Sequence, residues 1–406
     1  MKQKVIIIGA GHATAQLSVS LRQQGWADDV LVVSDEPHLP YHRPPLSKTF
    51  LSQEKTIDDL IIRPSAFYQK NQIQFQHGRV VSINRAQKNI QLSDGLILDY
   101  DKLALCTGSR VRKISIAGCE LEGVHYLRHI ADVIGIQPYV QRDKRVVIIG
   151  GGYIGLEAAA MLKKLGMHVV VLEMAERILQ RVTAPEVSEF YMRIHTEEGV
   201  VIHSGKSVTA FVGNTHVQQV VCSDGSEFPA DLVIVGVGVL PNVELAVDAG
   251  LEVNNGIVVD RFCRTSDENI LAAGDCTNHF NQIYNRRIRL ESVPNATEQG
   301  KTAAAAICGL SHEQNNLPWF WSDQYDLKLQ IAGLSEGYDH VVMRGDAHTS
   351  RSCAIFYFKE AHLIAADCIN RPQEFMLSKR LIAEKRKVHP SRLMDESISV
   401  KELLLD

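Results

Sequence analysis

Three absences narrow what this 406-residue chain can be. Its eight cysteines form no Cys-x-x-Cys pair, and no histidine pair has zinc-finger spacing, so the pattern disfavours a disulfide framework or a structural metal site and favours a reducing compartment. No apolar run approaches the ~18 residues of a membrane span. Lysine and arginine (43) do not outnumber aspartate and glutamate (47), which disfavours a protein that binds nucleic acid through its phosphates.

The N-terminal apolar run is also too short for a secretory signal. It covers only residues 5–8, whereas the apolar core of a signal peptide needs roughly 7–15 residues. We therefore expect a soluble, cytoplasmic protein with no metal site and no nucleic-acid or membrane partner. The oligomeric state, monomer or homodimer, stays open.

Glycine is of ordinary abundance, but several of the 28 glycines cluster in two strand–turn–helix segments. The first has an apolar strand at residues 5–8 and the turn GAGHAT at 9–14, and the second has a strand at 146–149 and the turn GGGYIG at 150–155. Continuous apolar strands are typical of parallel sheets buried on both faces. The sequence therefore predicts an α/β fold with two Rossmann-like dinucleotide-binding domains.

Each glycine of such a turn has a geometric task. The first makes the tight turn, the second lets the backbone approach a pyrophosphate, and the third lets helix and strand pack closely. Gly150, Gly152 and Gly155 fill all three positions, whereas the first segment has Gly9 and Gly11 followed by Thr14. This substitution bears on helix packing more than on phosphate contact. One such motif is a weak signal, but two in the right context are a strong one.

An acidic residue after the second strand of each unit would hold ribose hydroxyls. Asp35 follows the first turn at the expected spacing of about 20 residues, with Glu36 beside it as the alternative, and Glu173 follows the second. A carboxylate at Glu173 would accept a hydrogen bond from a 2′-hydroxyl and repel a 2′-phosphate, which favours NADH over NADPH. Arg177 lies close enough in sequence to leave some room for NADPH.

The rest of the chain completes a plan of three domains. We predict a discontinuous FAD-binding domain at residues 1–112 and 245–318, with an NAD-binding domain at 113–244 inserted into it. A C-terminal α+β domain at 319–406 follows, with alternating strands and then a basic helix that begins at Pro372 and ends at His389.

Several longer motifs carry a family resemblance. They are YHRPPLSK (41–48), TGS (107–109), GGGYIGLE (150–157), GVGVLPN (236–242), AGDC (273–276), RLESVPNA (289–296), PWFWSDQ (318–324) and NRPQEFM (370–376). With them the chain resembles the FAD-dependent ferredoxin reductases of putidaredoxin-reductase type, which are related to the reductase components of aromatic-ring dioxygenases. The resemblance runs from Lys4 to Leu404.

The resemblance and the glycine turns together imply two cofactors, FAD and NADH, and a set of site residues. The implied FAD-binding residues are Gly9, Gly11, His12, Ala13, Asp35, Arg43, Lys48, Val80, Thr107, Gly108, Arg128, Asp275, Val293 and Trp321. The implied NAD-binding residues are Gly150, Gly152, Tyr153, Ile154, Gly155, Glu157, Glu173, Gly236 and Gly238.

The resemblance also implies the catalytic residues Lys48, Glu157 and Trp321. Lys48 would pair with Glu157 and reach the flavin edge, where a cation stabilises the anionic reduced flavin. Trp321 would form an aromatic wall over flavin and nicotinamide. A solvated lysine at Lys48, and a core or surface role for Trp321 with Trp319 as the weaker candidate, are the alternatives.

The position of the first cysteine bears on the electron acceptor. Disulfide reductases of this wider fold carry a C-x4-C pair near the first unit, and peroxide and CoA-disulfide relatives keep one cysteine there, but this chain has none before Cys106. Electrons are therefore expected to leave from the flavin itself. The resemblance implies an iron–sulfur ferredoxin or rubredoxin as acceptor, serving a haem monooxygenase or ring-hydroxylating dioxygenase.

Two basic clusters fit an acidic partner. One is Arg286, Arg287 and Arg289, and the other spans residues 379–392. Basic patches on an acidic protein would steer an acidic ferredoxin, although residues 385–387 fit a solvated amphipathic helix equally well. Two rival functions stay open: an NADH oxidase or dye reductase without a dedicated partner, and a redox-sensing flavoprotein like apoptosis-inducing factor.

Overall fold

The computed structural model describes residues 2–404. Within that range the helices are α1 His12–Gln23, α2 Ile57–Leu60, α3 Ser65–Lys70, α4 Ile130–Ile136, α5 Tyr153–Lys164, α6 Pro185–Glu197, α7 Glu244–Asp248, α8 Val293–Ile307, α9 Pro372–Ala383 and α10 Pro390–Met394, with short 3-10 helices at Pro44–Ser47, Gln137–Tyr139 and Glu402–Leu404. The strands are β1 Lys4–Ile8, β2 Asp29–Ser34, β3 Ile73–His77, β4 Val80–Asn84, β5 Asn89–Leu92, β6 Ile97–Asp99, β7 Lys102–Leu105, β8 Ser109–Val111, β9 Val124–Tyr126, β10 Arg145–Ile149, β11 His168–Leu172, β12 Val201–His203, β13 Val208–Gly213, β14 Val217–Cys222, β15 Glu227–Pro229, β16 Leu232–Val235, β17 Val239–Pro241, β18 Ile257–Val259, β19 Ile270–Ala272, β20 Thr277–Asn281, β21 Arg286–Ile288, β22 Trp319–Gln324, β23 Leu327–Gly333, β24 His340–Asp346, β25 Ser352–Lys359 and β26 His362–Ile369.

The described residues form two compact units. Unit 1 contains residues 2–42, 58–110 and 239–318, and unit 2 contains residues 43–57, 111–238 and 319–404. Unit 1 thus holds the first glycine turn, and unit 2 holds the second turn together with the C-terminal segment. The predicted boundaries of three domains stay a prediction.

Unit 1 is built on a five-stranded parallel sheet in the order β19-β7-β1-β2-β3. Because side chains alternate along a strand, Val5 and Ile7 of β1 pack in one core cluster with Leu17 of α1 and Ala304 of α8. Ile6 and Ile8 pack in the other, which includes residues of β4 and β5. A parallel sheet covered on both faces explains the unbroken apolar run in β1.

Unit 2 contains the second parallel sheet, in the order β12-β11-β10-β16-β9. Val147 and Ile149 of β10 pack with Phe211 and Val220 from the antiparallel β13-β14-β15 sheet, which covers one face. The predicted α/β class with two parallel nucleotide-type sheets is confirmed.

The C-terminal segment of unit 2 forms an antiparallel sheet in the order β22-β23-β26-β25-β24. Leu329, Ile331 and Tyr357 of this sheet share one buried cluster with Leu156 of α5 and Phe190 of α6. The C-terminal sheet and the helices of the second nucleotide module therefore have a common core.

The predicted basic helix from Pro372 to His389 is wrong at its C-terminal end, because α9 ends at Ala383. Lys385 adopts a left-handed conformation with φ of 51°. The N–H groups of Lys385 and Arg386 donate to the carbonyls of Ile382 and Leu381, which is the Schellman arrangement that closes a helix. Residues 385–387 therefore lie in a turn, and the interpretation as an amphipathic helix fails there.

None of the helices in residues 2–404 combines the length and the apolar character needed to cross a bilayer. In the same part of the chain, no three His, Cys, Asp or Glu side chains converge as they would to hold a metal ion.

Candidate functional site

The first glycine turn joins β1 to α1 in unit 1. Gly9 has φ of 103°, and a Cβ there would lie 2.3 Å from the carbonyl oxygen of Cys106, so only glycine fits. Gly11 is the N-cap of α1, and a Cβ on it would meet no described atom within 4 Å. The first turn of α1, which begins with His12 and Ala13, contains no acidic residue. Open space in front of a helix N-terminus fits the pyrophosphate of a dinucleotide.

Thr14 occupies the place of the third glycine. It is fully buried, and its Oγ1 donates a hydrogen bond of 2.8 Å to the carbonyl of Gly9. Close helix packing comes instead from Gly300 of α8, where a Cβ would lie 2.7 Å from the carbonyl oxygen of Ala13. Unit 1 thus obtains its close approach from the neighbouring helix.

The two candidate ribose acids follow β2. Asp35 is exposed, whereas Glu36 is half-buried and accepts a 2.6 Å hydrogen bond from the Tyr41 hydroxyl. Asp35 stands at the position that the spacing predicts, and its role, like that of Glu36, stays a prediction.

The turn after β7 is fixed by Asn242, for which no role was predicted from the sequence. Thr107 Oγ1 donates to the carbonyl of Asn242 (2.7 Å), and the Asn242 amide donates back to the Thr107 carbonyl (2.8 Å). Gly108 has φ of 64° and accepts from the Asn242 N–H at 2.9 Å. These mutual bonds fix the predicted TGS turn.

Asp275 follows β19 and accepts a 3.0 Å hydrogen bond from the Ser109 hydroxyl. The preceding residue, Gly274, has φ of 93° and donates its N–H to Gln299 Oε1 at 2.7 Å. Gln299 is fully buried in α8, and no role was predicted for it from the sequence. It orients the turn that presents Asp275.

Val80 and Val293 take different places in unit 1. Val80 begins β4 with its side chain in the core. Val293 is the first residue of α8, just after the N-cap Ser292, whose hydroxyl accepts from the Asn295 N–H. Their contact with a cofactor stays a prediction.

The second glycine turn, in unit 2, joins β10 to α5. Gly150 has φ of 106°, and a Cβ there would lie 2.5 Å from the carbonyl oxygen of Gly236. Gly152 is the N-cap of α5 and faces open space. A Cβ on Gly155 would lie 2.3 Å from the carbonyl oxygen of Gly150, so the third glycine is required here. All three predicted glycine tasks match this geometry.

Residues around this turn differ in their exposure to solvent. Ile154, in the first turn of α5, is 44% exposed. The ring of Tyr153 packs edge-on against Phe320 with centroids 5.1 Å apart, and burial raises the pKa of its hydroxyl well above the usual value. Gly238 has φ of 100° and lies after β16.

Glu173 follows β11 and turns back to the glycine turn. Its Oε2 accepts the N–H of Gly151 at 2.6 Å, and its Oε1 accepts the N–H of Ala175 at 2.8 Å. Arg177 donates to Ser188 Oγ (2.6 Å) and to the carbonyls of Thr183 (2.8 Å) and Gln180 (3.2 Å). Because its guanidinium has these partners, Arg177 is not poised for a 2′-phosphate.

Lys48 and Glu157 form a buried ion pair in unit 2, as the resemblance implied. Lys48 Nζ lies 2.5 Å from Glu157 Oε2, and their side chains are 17% and 8% exposed. Ser47 donates to the same Oε2 at 2.6 Å, and Lys48 also donates to the Pro44 carbonyl at 3.1 Å. These bonds offset the cost of burying both charges.

Arg43 and Arg128 also meet within unit 2. The Arg43 guanidinium donates to the Arg128 carbonyl at 3.1 Å and lies 3.1 Å from His129 Nδ1. Arg128 itself begins the turn that caps α4, where its N–H donates to Asp132.

Strand β22 separates the two predicted tryptophans from a row of residues that face α5 and α6. The rings of Trp319 and Trp321 are tilted by 33° with centroids 5.7 Å apart, and Lys379 Nζ lies over the Trp319 ring, 5.0 Å from its centroid. On the other face, Ser322 Oγ donates to Glu157 Oε1 at 2.8 Å. Ser322 lies within the PWFWSDQ motif, but no role was predicted for it from the sequence. The period-2 alternation of a strand would have revealed it.

All eight cysteines carry free thiols. Burial raises the pKa of Cys106, Cys222, Cys263, Cys276, Cys308, Cys353 and Cys368. A raised pKa keeps a thiol protonated and unreactive in disulfide exchange.

The chain belongs to the pyridine nucleotide-disulphide oxidoreductase family, which it matches over residues 3–300, and it matches the reductase C-terminal domain over residues 319–404. The predicted family resemblance and the prediction of an oxidoreductase are thereby confirmed, and members of this family use FAD and NAD(H), as predicted.

Several relatives are similar over nearly their whole length. Putidaredoxin reductase CamA of Pseudomonas putida is 44% identical, with 98% of this chain and 96% of the relative covered. Rubredoxin-NAD(+) reductase of Pseudomonas putida is 38% identical over 91% of this chain and 96% of the relative. The reductase in a solved covalent putidaredoxin reductase–putidaredoxin complex has a TM-score of 0.96 and 43% identity, covering 99% of this chain and 98% of that one.

Proposed function

We propose that this protein is an NADH-dependent FAD reductase that delivers electrons to an iron–sulfur ferredoxin or rubredoxin. That carrier would serve a haem monooxygenase or a ring-hydroxylating dioxygenase. The observation that carries the proposal is end-to-end similarity, in both sequence and fold, to reductases whose names specify ferredoxin, putidaredoxin or rubredoxin.

The residues present fit both cofactors. In unit 1, Gly11, His12 and Ala13 would hold the FAD pyrophosphate, and Asp35 and Asp275 would hold the ribose and ribityl hydroxyls. In unit 2, Gly152 and Ile154 would face NADH, with Glu173 on its ribose. The space that a Cβ at either second glycine would enter supports this assignment.

A bound FAD would supply the chemistry that joins NADH, a two-electron donor, to a one-electron carrier. The chain's contribution is orientation and charge. Glu157 keeps the Lys48 ammonium in one position, and a fixed cation favours an anionic reduced cofactor. Trp321 would restrict how the nicotinamide docks.

The state of the thiols supports a carrier as acceptor. Cys106, the first cysteine of the chain, is buried, and burial raises its pKa. With no reactive thiol before it in the sequence, electrons have no disulfide relay to enter. Eight free thiols also support a cytoplasmic location.

The basic clusters are partly neutralised. Arg289 forms an ion pair with Glu291, whereas Arg287 donates to the backbone carbonyls of Val259 (3.3 Å) and Asn278 (3.1 Å). Arg287 is exposed and Arg286 half-buried. Arg287 is therefore a better candidate than Arg289 for steering an acidic partner.

The test measures NADH-driven cytochrome c reduction with and without an acidic two-iron ferredoxin. We expect the ferredoxin to accelerate cytochrome c reduction many-fold while oxygen uptake stays slow. Fast NADH oxidation by air alone would instead indicate an oxidase, and slow turnover with a long-lived reduced flavin–NAD complex would indicate a redox sensor.

A charge-matched pair of variants tests the docking surface. Arg286→Gln with Arg287→Gln should slow ferredoxin reduction roughly three- to tenfold at low salt and flatten its salt dependence. Ferricyanide reduction should not change. Lys55→Gln with Lys88→Gln, two exposed lysines, controls for net charge. An equal loss with ferricyanide and ferredoxin would show that the arginines act on the fold.

A further inference from the structure

A chain of hydrogen bonds runs through the interior of unit 2 and ends on Glu157. Beyond Ser322, the Gln324 amide donates to Ser322 Oγ at 3.2 Å. His195 Nε2 lies 2.8 Å from Gln324 Oε1, and the Tyr325 hydroxyl lies 2.9 Å from His195 Nδ1. The bonds thus connect α6 with α5 through Gln324 and Ser322, two alternate residues of β22.

The direction of every bond in this chain follows from its partners. Because the Gln324 nitrogen donates to Ser322, its oxygen faces His195 and can only accept. His195 must therefore carry its proton on Nε2, which leaves Nδ1 to accept from Tyr325. Every donor consequently points toward the Glu157 carboxylate.

The interior members of the chain are sealed from solvent. Ser322 and His195 have no exposed surface, and Gln324 is 1% exposed. Burial lowers the pKa of His195 to about 4, so the imidazole is neutral at pH 7 and keeps the tautomer that the geometry requires. Tyr325, half-buried, forms the outer end.

We propose that Ser322, Gln324 and His195 are positioning residues for the Lys48–Glu157 pair, acting as a polarised hydrogen-bond relay. The relay rests on the proposed function, in which that pair serves flavin reduction. It gives Oε1 of Glu157 a fixed donor while Oε2 receives Lys48 and Ser47, so the carboxylate is held in one orientation. Aligned donors polarise one another, which strengthens the last bond.

The C-terminal sheet therefore orients the Glu157 side of the Lys48–Glu157 pair. Phe320, Ser322 and Gln324 lie on one face of β22, and each contacts the nucleotide module of unit 2: Tyr153, Glu157 and His195 respectively. The relay therefore differs from a set of unrelated buried polar bonds, because the direction of each hydrogen bond fixes the direction of the adjacent one.

The first experiment tests the direction of the relay by ¹⁵N NMR of the histidine rings in the purified holoenzyme. The His195 signal is identified by its loss in His195→Gln or, if that variant does not fold, by its shift in Tyr325→Phe. We expect the Nε2–H tautomer from pH 8 down to pH 5.5. An Nδ1–H tautomer, or a protonated ring at pH 7, would overturn the relay.

The second experiment compares Ser322→Ala with Ser378→Ala in stopped-flow reduction of the flavin by NADH. Ser378 is an equally buried serine of the same unit whose hydroxyl donates to the Glu374 carbonyl. We expect the limiting rate to fall about tenfold in Ser322→Ala, the scale of a lost charge-assisted bond, with the apparent Kd for NADH unchanged. Ser378→Ala should retain the original rate.

A double variant isolates the route of the effect. In a Glu157→Gln background, Ser322→Ala should slow flavin reduction no further, since its target is gone. Equal rates in Ser322→Ala and Ser378→Ala, or full additivity with Glu157→Gln, would overturn the proposal. If NADH fails to reduce the flavin of the unmodified protein, the proposed function is wrong, and the histidine tautomer still supports or contradicts the relay.

Discussion

The two glycine turns agree at their first two positions and differ at the third. Gly9 and Gly150 have nearly the same φ, 103° and 106°. A Cβ on either would collide with the carbonyl oxygen of the residue that follows a neighbouring strand. At the third position, Gly155 touches the turn directly, whereas Thr14 reaches it through a hydrogen bond. The backbone conformation requires glycine at the first position, whereas either glycine or threonine can occupy the third.

The acids that follow the second strands differ in a similar way. Glu173 accepts the N–H of Gly151, so turn and acid form one hydrogen-bonded piece in unit 2. In unit 1, Glu36 instead accepts from Tyr41, at the start of the YHRPPLSK motif. The second turn is thus bonded to its own acid, whereas the first is packed against the neighbouring helix α8 at Gly300.

The largest expected effect is at the first glycines. Gly150→Ala places a Cβ 2.5 Å from a backbone oxygen at a left-handed φ, and Gly9→Ala places one at 2.3 Å. We expect each to lower the free energy of unfolding by more than about 4 kcal/mol or to abolish folding. Urea unfolding measures this effect.

Gly152→Ala is the matched control for that prediction. Its Cβ would meet nothing within 4 Å, and φ is −83°. Its stability should change by less than about 1 kcal/mol, while NADH binding weakens. If Gly150→Ala and Gly152→Ala were equally stable, the close approach at Gly150 would not matter.

The third position should produce an intermediate and asymmetric effect. Gly155→Ala brings a Cβ to 2.3 Å from the Gly150 carbonyl and should cost about 3 kcal/mol. Thr14→Gly removes one buried hydrogen bond and adds helix-interior glycine, which should cost about 2 kcal/mol. Thermal unfolding compares them. A stabilised Thr14→Gly protein would mean that the third glycine is preferred in both units.

The smallest effect concerns cofactor choice. Glu173→Arg should weaken NADH binding roughly tenfold and raise relative use of NADPH, because a carboxylate that repels a 2′-phosphate is replaced by a cation. Steady-state kcat/KM for both nucleotides measures the shift. Glu36→Gln serves as the counterpart in unit 1 and should leave nucleotide selectivity unchanged. Unaltered selectivity in Glu173→Arg would contradict the ribose assignment.

Sequence patterns were sufficient wherever chemistry is local. The apolar runs before Gly9 and Gly150 and the spacing to Glu173 are features of neighbouring residues, and the apolar runs were enough to predict parallel sheets. The end of α9 was predicted wrongly because a lysine at the left-handed position after the helix gives no sequence signal of the kind that glycine does.

The sequence by itself determined two nucleotide-type units, their glycine geometry and, through its motifs, the family. Only the tertiary structure decided that Arg177 bonds to Ser188 and Thr183 and that Thr14 bonds to Gly9. It also decided that a hydrogen-bond chain from His195 reaches Glu157 through Ser322. These outcomes depend on which distant strands and helices meet. His195 and Gln324 are 129 positions apart in the chain, and a buried polar group must find its partner wherever packing places one.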